Sequence, residues 1–537
     1  MMYRKLFLGS GLTALLYILV TATSCRKDLG NYSYSEVDTL HIGGLASAIT
    51  ISIGGNPAQF PTFSSSLGLL DTAASQFSYQ WIAYNGFATT AEERRIILDT
   101  TRNLDRNITL KVGSYDLYYK VTQKSTGVAW IKNIKLTVEG SLVKYGWFVL
   151  SQVGDSTQLD YFQDSSGAWN TYPKHYSRVN QLIGDVAGQY SYLRLPGKPL
   201  SLTSYNNRDY VNTTAKVYEY INTSEGTQKL NITDGFTWNS QKYVFRNECV
   251  LPTPPRAEYI YPSSASQSMA IYNHDVYTYS YTGGVYYNTP VNKLSTGSTF
   301  PVSNYMAVTY NSSAFYSIFF DTLNRRFVRF GGSYSSKNCT KISYPSGAFD
   351  PDQVQKDLVW MGWTTAYSGQ AVAILKDTAA SNYYLARLTF TNTGTVTPLS
   401  LTDVTTILTG IDKADHFAID QQYGYLFYTS GGNLYEYDMD NNVVKVAMNL
   451  GGKLVSMLKT ERLYLYPPTT ATFLNNGTRW FPVGYSMILG MYDKANPDNS
   501  GEVHFLKPGA LATGVTEYFT PFTGMGKVVD VNYLQIL

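Results

Sequence analysis

Cysteine is scarce in this chain of 537 residues, which has three copies, at positions 25, 249 and 339. None of them forms a CxxC pair or lies among histidines at zinc-ligand spacing, so the sequence predicts no metal site. Cys249 and Cys339 could form one disulfide in an oxidising compartment or remain separate thiols. Spacing alone does not show whether their Cα atoms come within the roughly 7 Å that a disulfide requires.

Motifs of several enzyme classes are also missing. No HExxH, GxSxG or GxxxxGK[ST] sequence occurs, and no GxGxxG segment opens a helix. We therefore predict no catalytic residue and no cofactor. A glycosidase needs only two facing carboxylates, so catalysis stays open as an alternative. We interpret Asp420, Asp438 and Asp440 as turn residues that accept backbone hydrogen bonds.

Charge is sparse, because Asp, Glu, Lys and Arg together make up 15% of the chain and the formal net charge is +3. Arg4 and Lys5 contribute two of these charges and precede a predicted cleavage point, which leaves +1 on the remaining chain. No polybasic tract occurs. The sequence therefore predicts no nucleic-acid partner.

Long apolar runs are limited to residues 6–20, which are too few to span a roughly 30 Å hydrocarbon core comfortably. The run follows two basic residues and precedes the small residues Ala22-Thr23-Ser24, a layout typical of a secretory signal. Ending in Cys25, it resembles a bacterial lipoprotein box, in which the cysteine thiol is acylated. We predict that residues 1–24 are removed, that Cys25 is lipidated and that residues 25–36 form a tether.

The residues after Cys25 refine the predicted location. Arg26-Lys27-Asp28 resembles a charged tag that directs lipoproteins of bacteria with Sus-type importers to the outer face of the outer membrane. We therefore expect a lipid-anchored protein of the outer membrane, exposed at the cell surface. Retention on the periplasmic leaflet is the alternative.

Tyrosine is abundant, with 47 copies beside 24 Phe and 8 Trp. Aromatic side chains suit β-strands, and they can also stack on sugar rings or peptide side chains. Over residues 37–140, apolar and polar residues alternate in short runs that include 77–81, 108–112, 115–121 and 134–138. This period of two predicts an antiparallel β-sandwich, with Trp81 in a central strand. Tyr115, Leu117, Tyr119 and Val121 should share one face.

Residues 145–537 predict a different all-β unit, built of short aromatic strands separated by Gly and Asn turns. Residues 416–420, 424–428 and 433–438 give the clearest example, with three successive strands. Repeated units of roughly 40 to 55 residues favour a seven- or eight-bladed β-propeller. Further β-sandwiches are the structural alternative. Residues 527–533 should form a terminal strand that pairs with residues 145–150 and closes the unit.

Four segments together carry a family resemblance. They are residues 27–34 (KDLGNYSY), the GSYDLYYKV strand at 113–121, GWFVLS at 146–151 and GMGKVVDV at 524–531. In these segments the chain resembles the PKD-like family of lipoproteins. The resemblance implies that residues 37–140 form an immunoglobulin-like β-sandwich of the PKD type. It also implies a genetic association with a Sus-type TonB-dependent transporter and its substrate-binding lipoprotein, and so a part in nutrient capture.

Aromatic residues in glycine-containing turns are the candidate ligand contacts, because loops at one face of a propeller commonly bind ligands. These candidates are Trp360, Trp363, Tyr367, Trp480 and Tyr485. Packing between blades is the alternative role for each of them.

Three functions stay open. The first, which we favour, is an accessory binding component of a Sus-type TonB-dependent importer that takes a glycan or a peptide. The second is an envelope polysaccharide hydrolase or lyase that uses carboxylates of the propeller. The third is an adhesive or structural surface protein.

Overall fold

The computed structural model describes residues 39–537 with gaps. The gaps are 53, 66–75, 87–90, 111–112, 140–144, 164–173, 191, 208–215, 234, 242–247, 251–255, 265–266, 310–315, 332–335, 347, 461–486, 511–512, 519 and 536–537. The predicted signal, Cys25 and the tether therefore lie outside the described residues, as do Trp480 and Tyr485. The described residues confirm the all-β class, with one α-helical turn, α1, at Ala91–Arg94 and 3-10 turns at Val179–Gln181, Ala366–Ser368 and Ile411–Lys413. No helix among them is long and apolar enough to cross a membrane.

The first unit contains seven strands. They are β1 (Leu40–Gly43), β2 (Ala48–Ser52), β3 (Thr62–Ser65), β4 (Phe77–Tyr84), β5 (Arg95–Asp99), β6 (Gly113–Gln123) and β7 (Ala129–Glu139). One sheet has the order β2-β7-β6-β4-β5, and β1 pairs with β3 in a second sheet. The pairing is antiparallel except between β2 and β7, which run parallel.

Alternation along β6 produces the core of this unit. Tyr115, Leu117, Tyr119 and Val121 are all buried, which confirms that they share one face. Trp81 on the adjacent β4 is fully buried, with its ring centroid 4.2 Å from that of Tyr119.

The strand predicted at residues 108–112 is wrong for the part that is described, 108–110. Ile108 and Leu110 are buried there in an irregular segment. The Ile108 N–H is satisfied by the Gly55 carbonyl at 3.1 Å. Alternating apolar residues can fill a core without a ladder when other groups satisfy their backbone.

From residue 145 onward, the described strands form seven further sheets, numbered here in chain order. The first sheet contains β8 (Tyr145–Val153), β9 (Ser156–Gln163), β10 (Lys174–Tyr176) and the last strand, β35 (Lys527–Gln535). The second contains β11 (Pro199–Asn207), β12 (Lys216–Thr223), β13 (Gly226–Asn231) and β14 (Thr237–Trp238). The third contains β15 (Tyr259–Ser264), β16 (Gln267–Tyr272) and β17 (Asp275–Ser280).

The remaining four sheets repeat the same up-and-down order. The fourth contains β18 (Ala307–Thr309), β19 (Tyr316–Asp321), β20 (Arg326–Gly331) and β21 (Thr340–Lys341). The fifth contains β22 (Asp357–Thr364), β23 (Gln370–Asp377), β24 (Asn382–Phe390) and β25 (Val396–Asp403). The sixth contains β26 (His416–Ile419), β27 (Leu426–Ser430), β28 (Asn433–Asp438) and β29 (Val443–Asn449). The seventh contains β30 (Leu454–Thr460), β31 (Met487–Tyr492), β32 (Gly501–Pro508), β33 (Val515–Glu517) and β34 (Phe522–Met525).

The two ends of this region meet in the first sheet. β35 pairs antiparallel with β8, from Lys527 opposite Gln152 to Gln535 opposite Tyr145, which confirms the predicted closure. Six pairs of neighbouring sheets also touch through their edge strands. The strand β11 contacts β35 and β15, β22 contacts β18 and β26, and β30 contacts β26 and β35. Trp147 packs against Phe505 of the seventh sheet, with ring centroids 4.4 Å apart. The C-terminal strand is therefore part of the core.

A buried ion pair lies between the second and third sheets. Lys229 and Glu248 are both fully buried, and the Lys229 ammonium contacts the Glu248 carboxylate. The ammonium also lies 3.8 Å from the ring centroid of Tyr218, and the Tyr220 hydroxyl donates to Glu248 at 2.7 Å. A buried charge pair is tolerated when such contacts replace water.

Candidate functional site

An open cavity of about 260 Å³ lies where the fourth and fifth sheets meet. It is bounded by β20, by β21 with the residues after it, and by the turn between β24 and β25. Its lining is Arg329, Thr340, Lys341, Ile342, Ser343, Thr393, Gly394, Thr395 and Val396. Typical small-molecule sites measure roughly 300–1,000 Å³, so this cavity suits one unit of a larger ligand.

Arg329 is held in place by contacts from both sheets. Along β20, Val328 and Phe330 enter the core cluster shared with the third sheet, so alternation turns Arg329 toward the fifth sheet. Its Nε–H donates to the Gly394 carbonyl at 2.7 Å, and its guanidinium carbon lies 5.6 Å from the ring centroid of Tyr316. These contacts leave other N–H groups of the fork available to a ligand.

Gly394 is required at its position by space and by backbone conformation. Its φ is +81°, a left-handed value that disfavours other residues. A Cβ there would lie 2.1 Å from Cδ1 of Tyr316, which is far inside contact distance. The absence of a side chain therefore lets the turn lie against Tyr316 and present its carbonyl to Arg329.

The cavity carries an excess of positive charge. Lys341 is paired with Asp352 at 2.5 Å, and Asp352 also accepts from Arg326 at 3.2 Å. Arg329 has no carboxylate partner in the part of the chain that the structure describes. The lining contains four hydroxyl side chains and no carboxylate. Such a set of groups can bind and orient an oxygen-rich anion, but it has no acid–base pair for catalysis.

Two buried carboxyl groups lie elsewhere, in the sixth sheet. Asp420 and Glu436 are fully buried and do not line the cavity. Asp420 Oδ2 accepts backbone N–H groups of residues 422–424, and Glu436 Oε2 accepts the Gly514 N–H at 2.9 Å. The other oxygen of each has no hydrogen-bond partner among the described residues. Burial raises the pKa of Glu436 to about 7, and the charge of Asp420 adds to this.

The predicted acceptance of backbone N–H groups agrees with the geometry of Asp420 and Asp438, whereas the Asp440 carboxylate forms an ion pair instead. Asp420 accepts turn amides as stated above, and Asp438 Oδ1 accepts the N–H groups of Asp440 and Asn441, each at 3.1 Å. The Asp440 carboxylate pairs with Arg387 at 2.8 Å.

Within the described residues, no group of three or more His, Cys, Asp and Glu side chains could hold a metal ion. No disulfide joins Cys249 to Cys339.

The three described aromatic candidates lie at the fifth sheet. The prediction that they lie in a turn is wrong for Trp360 and Trp363, which are inside strand β22, whereas Tyr367 lies in the turn that follows it. Trp360 and Trp363 are 7% and 8% exposed, so little of either ring is available to a ligand. Trp360 stacks near Phe417, and Trp363 Nε1–H donates to the Phe390 carbonyl at 2.8 Å. Their predicted role in ligand binding stays a prediction.

Tyr367 differs from the two tryptophans because it is half-buried and has a φ of +55°. The guanidinium of Arg387 lies 4.9 Å from its ring centroid. Burial, together with the charge of Asp440, raises the pKa of Tyr367 to about 12. None of the three described candidates, Trp360, Trp363 and Tyr367, lines the cavity.

Sequence reasoning missed Arg329 and the hydroxyl residues around it. The local signal was an arginine in the interior of the apolar strand RFVRFG, together with the TNTGT turn of the fifth sheet. Arg329 and Gly394 are 65 residues apart, and only the packing of two sheets brings them together.

Comparison with known proteins confirms the resemblance to the PKD-like family over part of the chain. The model of the PKD-like family matches residues 25–199, which is about one third of the chain and includes the first unit and β8–β10. No curated protein matches the chain.

Several solved structures are similar to this chain at low identity. A quinoprotein alcohol dehydrogenase-like protein of Bacteroides thetaiotaomicron is 8% identical, with 91% of this chain and 94% of that chain covered and a TM-score of 0.42. The extracellular domain of a one-component system of the same species is 12% identical, with 90% and 70% covered and a TM-score of 0.34. Dipeptidyl peptidase 4 of Porphyromonas gingivalis is 7% identical, with 71% and 52% covered and a TM-score of 0.33.

Proposed function

We propose that the protein is a surface-exposed, lipid-anchored accessory binding component of a Sus-type TonB-dependent importer. In this function it contacts a glycan or peptide nutrient and works beside the transporter and its substrate-binding lipoprotein. The single observation that carries the binding role is the polar cavity at Arg329, which has a rigid cation and several exposed hydroxyl groups.

The match to the PKD-like family supports the anchored location in this proposal. The match begins at residue 25, the cysteine that the lipoprotein-like sequence would acylate. In the proposed arrangement, the lipid on Cys25 holds the chain at the outer membrane and the first unit spaces the larger unit from the bilayer.

We also propose the finer architecture. The first unit is an immunoglobulin-like sandwich of the PKD type, and the seven sheets are the blades of a seven-bladed β-propeller. Two observations support this arrangement. The strand β35 pairs with β8, and most neighbouring sheets touch through their edge strands. A closed ring of this kind leaves only short sheet edges at its periphery.

Binding is favoured over hydrolysis by the chemistry of the cavity. A glycosidase needs two carboxyl groups that reach one bond from opposite sides. The cavity lining has none, and the buried carboxyls of Asp420 and Glu436 lie away from it with no exposed surface. The proposed protein therefore holds its ligand without cleaving it.

The test is affinity purification of the tagged protein from gently solubilised outer membranes, followed by mass spectrometry of the proteins recovered with it. We expect a TonB-dependent transporter and its binding lipoprotein to be recovered. The variant Cys25→Ala is the matched control, because it lacks the acylated thiol and should not fractionate with membranes. Recovery of the intact, membrane-bound protein alone would contradict the importer role.

A further inference from the structure

We propose that the cavity at Arg329 binds the anionic group of an acidic saccharide, namely a uronate carboxylate or a sugar sulfate. This inference rests on the proposed binding function and specifies its ligand class. The observation behind it is an arginine fork fixed between two sheets and aimed into a cavity that has no acidic lining residue.

The fixed position of Arg329 favours an anion that presents two oxygens side by side over a neutral group. Its Nε–H is already used by the Gly394 carbonyl, and Tyr316 limits the position of the guanidinium. The terminal N–H groups can then donate in parallel to two oxygens of a carboxylate or sulfate. Such paired, charge-assisted hydrogen bonds from a guanidinium are stronger than hydrogen bonds between neutral groups. Little side-chain entropy remains to be lost when the ligand binds.

The charge around the cavity also favours an anion over a neutral ligand. Lys341 lies on the rim, and Asp352 already pairs with its ammonium at 2.5 Å. Of the two cations that line the cavity, Arg329 is therefore the one without a carboxylate partner among the described residues. The undescribed segments nearest to it in sequence, 310–315 and 332–335, contain no Asp or Glu.

The rest of the lining favours a saccharide over an acidic peptide. Thr340, Ser343, Thr393 and Thr395 are exposed on the rim and present hydroxyl groups that can bond the hydroxyls of a sugar ring. The apolar part of the lining is limited to Ile342 and Val396. A peptide side chain would find little apolar surface there, whereas a sugar acid can use both the hydroxyls and the cation.

Isothermal titration calorimetry on the mature chain in detergent tests the ligand class. The probes are trigalacturonate, a sulfated trisaccharide, neutral maltotriose and triglutamate. We expect at least one of the two acidic saccharides to bind about tenfold or more tightly than maltotriose, and its binding to weaken as salt rises. The tighter of the two identifies carboxylate or sulfate as the preferred anion. Equal binding of maltotriose, equal binding of triglutamate, or no binding of either acidic saccharide would overturn the proposal.

Paired variants locate the site. Thr393→Glu places a carboxylate on the exposed rim and should abolish acidic-saccharide binding, whereas the neutral Thr393→Gln loses only one hydroxyl contact and should weaken binding much less. Arg329→Gln should weaken binding about tenfold or more. Arg325→Gln is its control, because this substitution removes the same charge from the turn just before β20, where Arg325 pairs with Asp357 at 2.6 Å and does not line the cavity. Unchanged binding in Thr393→Glu would refute the site even if Arg329→Gln fails to fold.

This experiment can fail independently of the importer proposal. Selective binding of an acidic saccharide that depends on Arg329, without a co-purifying transporter, would support the ligand class and contradict the importer. A co-purifying transporter together with a preference for neutral sugar or peptide would retain the importer and overturn the ligand class.

Discussion

Glu436 should make the stability of the protein fall as pH rises through neutrality. Its carboxyl group is fully buried in the sixth sheet, where Oε2 accepts the Gly514 N–H at 2.9 Å. Oε1 has no hydrogen-bond partner among the described residues. Burial raises the pKa of Glu436 from an ordinary 4.5 to about 7. The folded protein therefore favours the protonated form, because the charged form loses its hydration.

The sign and size of the effect follow from linkage. Between pH 4.5 and about 7 the folded state retains a proton that the unfolded state has lost, so the free energy of unfolding decreases with rising pH. The stabilisation is complete below pH 4.5 and is lost as pH rises through about 7. The difference between these two pKa values corresponds to about 3 kcal/mol by pH ~8.

Urea unfolding at several pH values measures this dependence. Glu436→Gln keeps an oxygen that can accept the Gly514 N–H, but its side chain cannot ionise. The variant should therefore lack the loss of about 3 kcal/mol in the free energy of unfolding that Glu436 causes across this pH range. Glu225→Gln is the control, because Glu225 is exposed and this substitution removes no buried charge. A wild-type slope equal to that of Glu436→Gln would refute the reasoning.

Three further substitutions probe packing. Lys229→Met leaves Glu248 buried without its ammonium and should destabilise the protein by about 3–5 kcal/mol in urea unfolding, whereas adding Glu248→Leu should restore most of the loss. Trp363→Ala should cost about 3–5 kcal/mol by the same measurement, because the ring is only 8% exposed; a cost below about 1 kcal/mol would contradict its packing role. Gly394→Ala should lower the melting temperature, because its φ is +81° and the new Cβ would meet Tyr316; an unchanged melting temperature would contradict this steric account.

Much of the strand pattern could be predicted from sequence because it is local. The alternation in residues 113–121 and the YLFYTSGGNLYEYD segment mark β6, β27 and β28, since period-two burial and glycine turns involve near neighbours. The closure of β35 onto β8 was also predictable, because two strong strands stand at the two ends of the repeat region.

The site could not be predicted in the same way. Its arginine, its turn and its hydroxyls come from two sheets, and no local period encodes how those sheets meet. Aromatic residues in glycine-containing turns were a weaker signal, because Trp360 and Trp363 serve equally well as filling between sheets. An arginine in the interior of an apolar strand is a better indication of a binding site, because a buried guanidinium needs a group that compensates its charge.

The surroundings of Arg329 suggest why its charge is retained. The two nearest arginines in the sequence have carboxylate partners. Arg326, the first residue of β20, pairs with Asp321 at 2.9 Å, and Arg325, in the turn before β20, pairs with Asp357. A half-buried guanidinium without such a partner is costly to desolvate, and one acidic substitution on the rim would relieve it. Thr393→Glu should therefore leave stability unchanged or raise it by up to about 1 kcal/mol while it abolishes acidic-saccharide binding. If Thr393→Glu lowers both stability and binding, the uncharged rim of the cavity is needed for folding and this explanation of Arg329 is wrong.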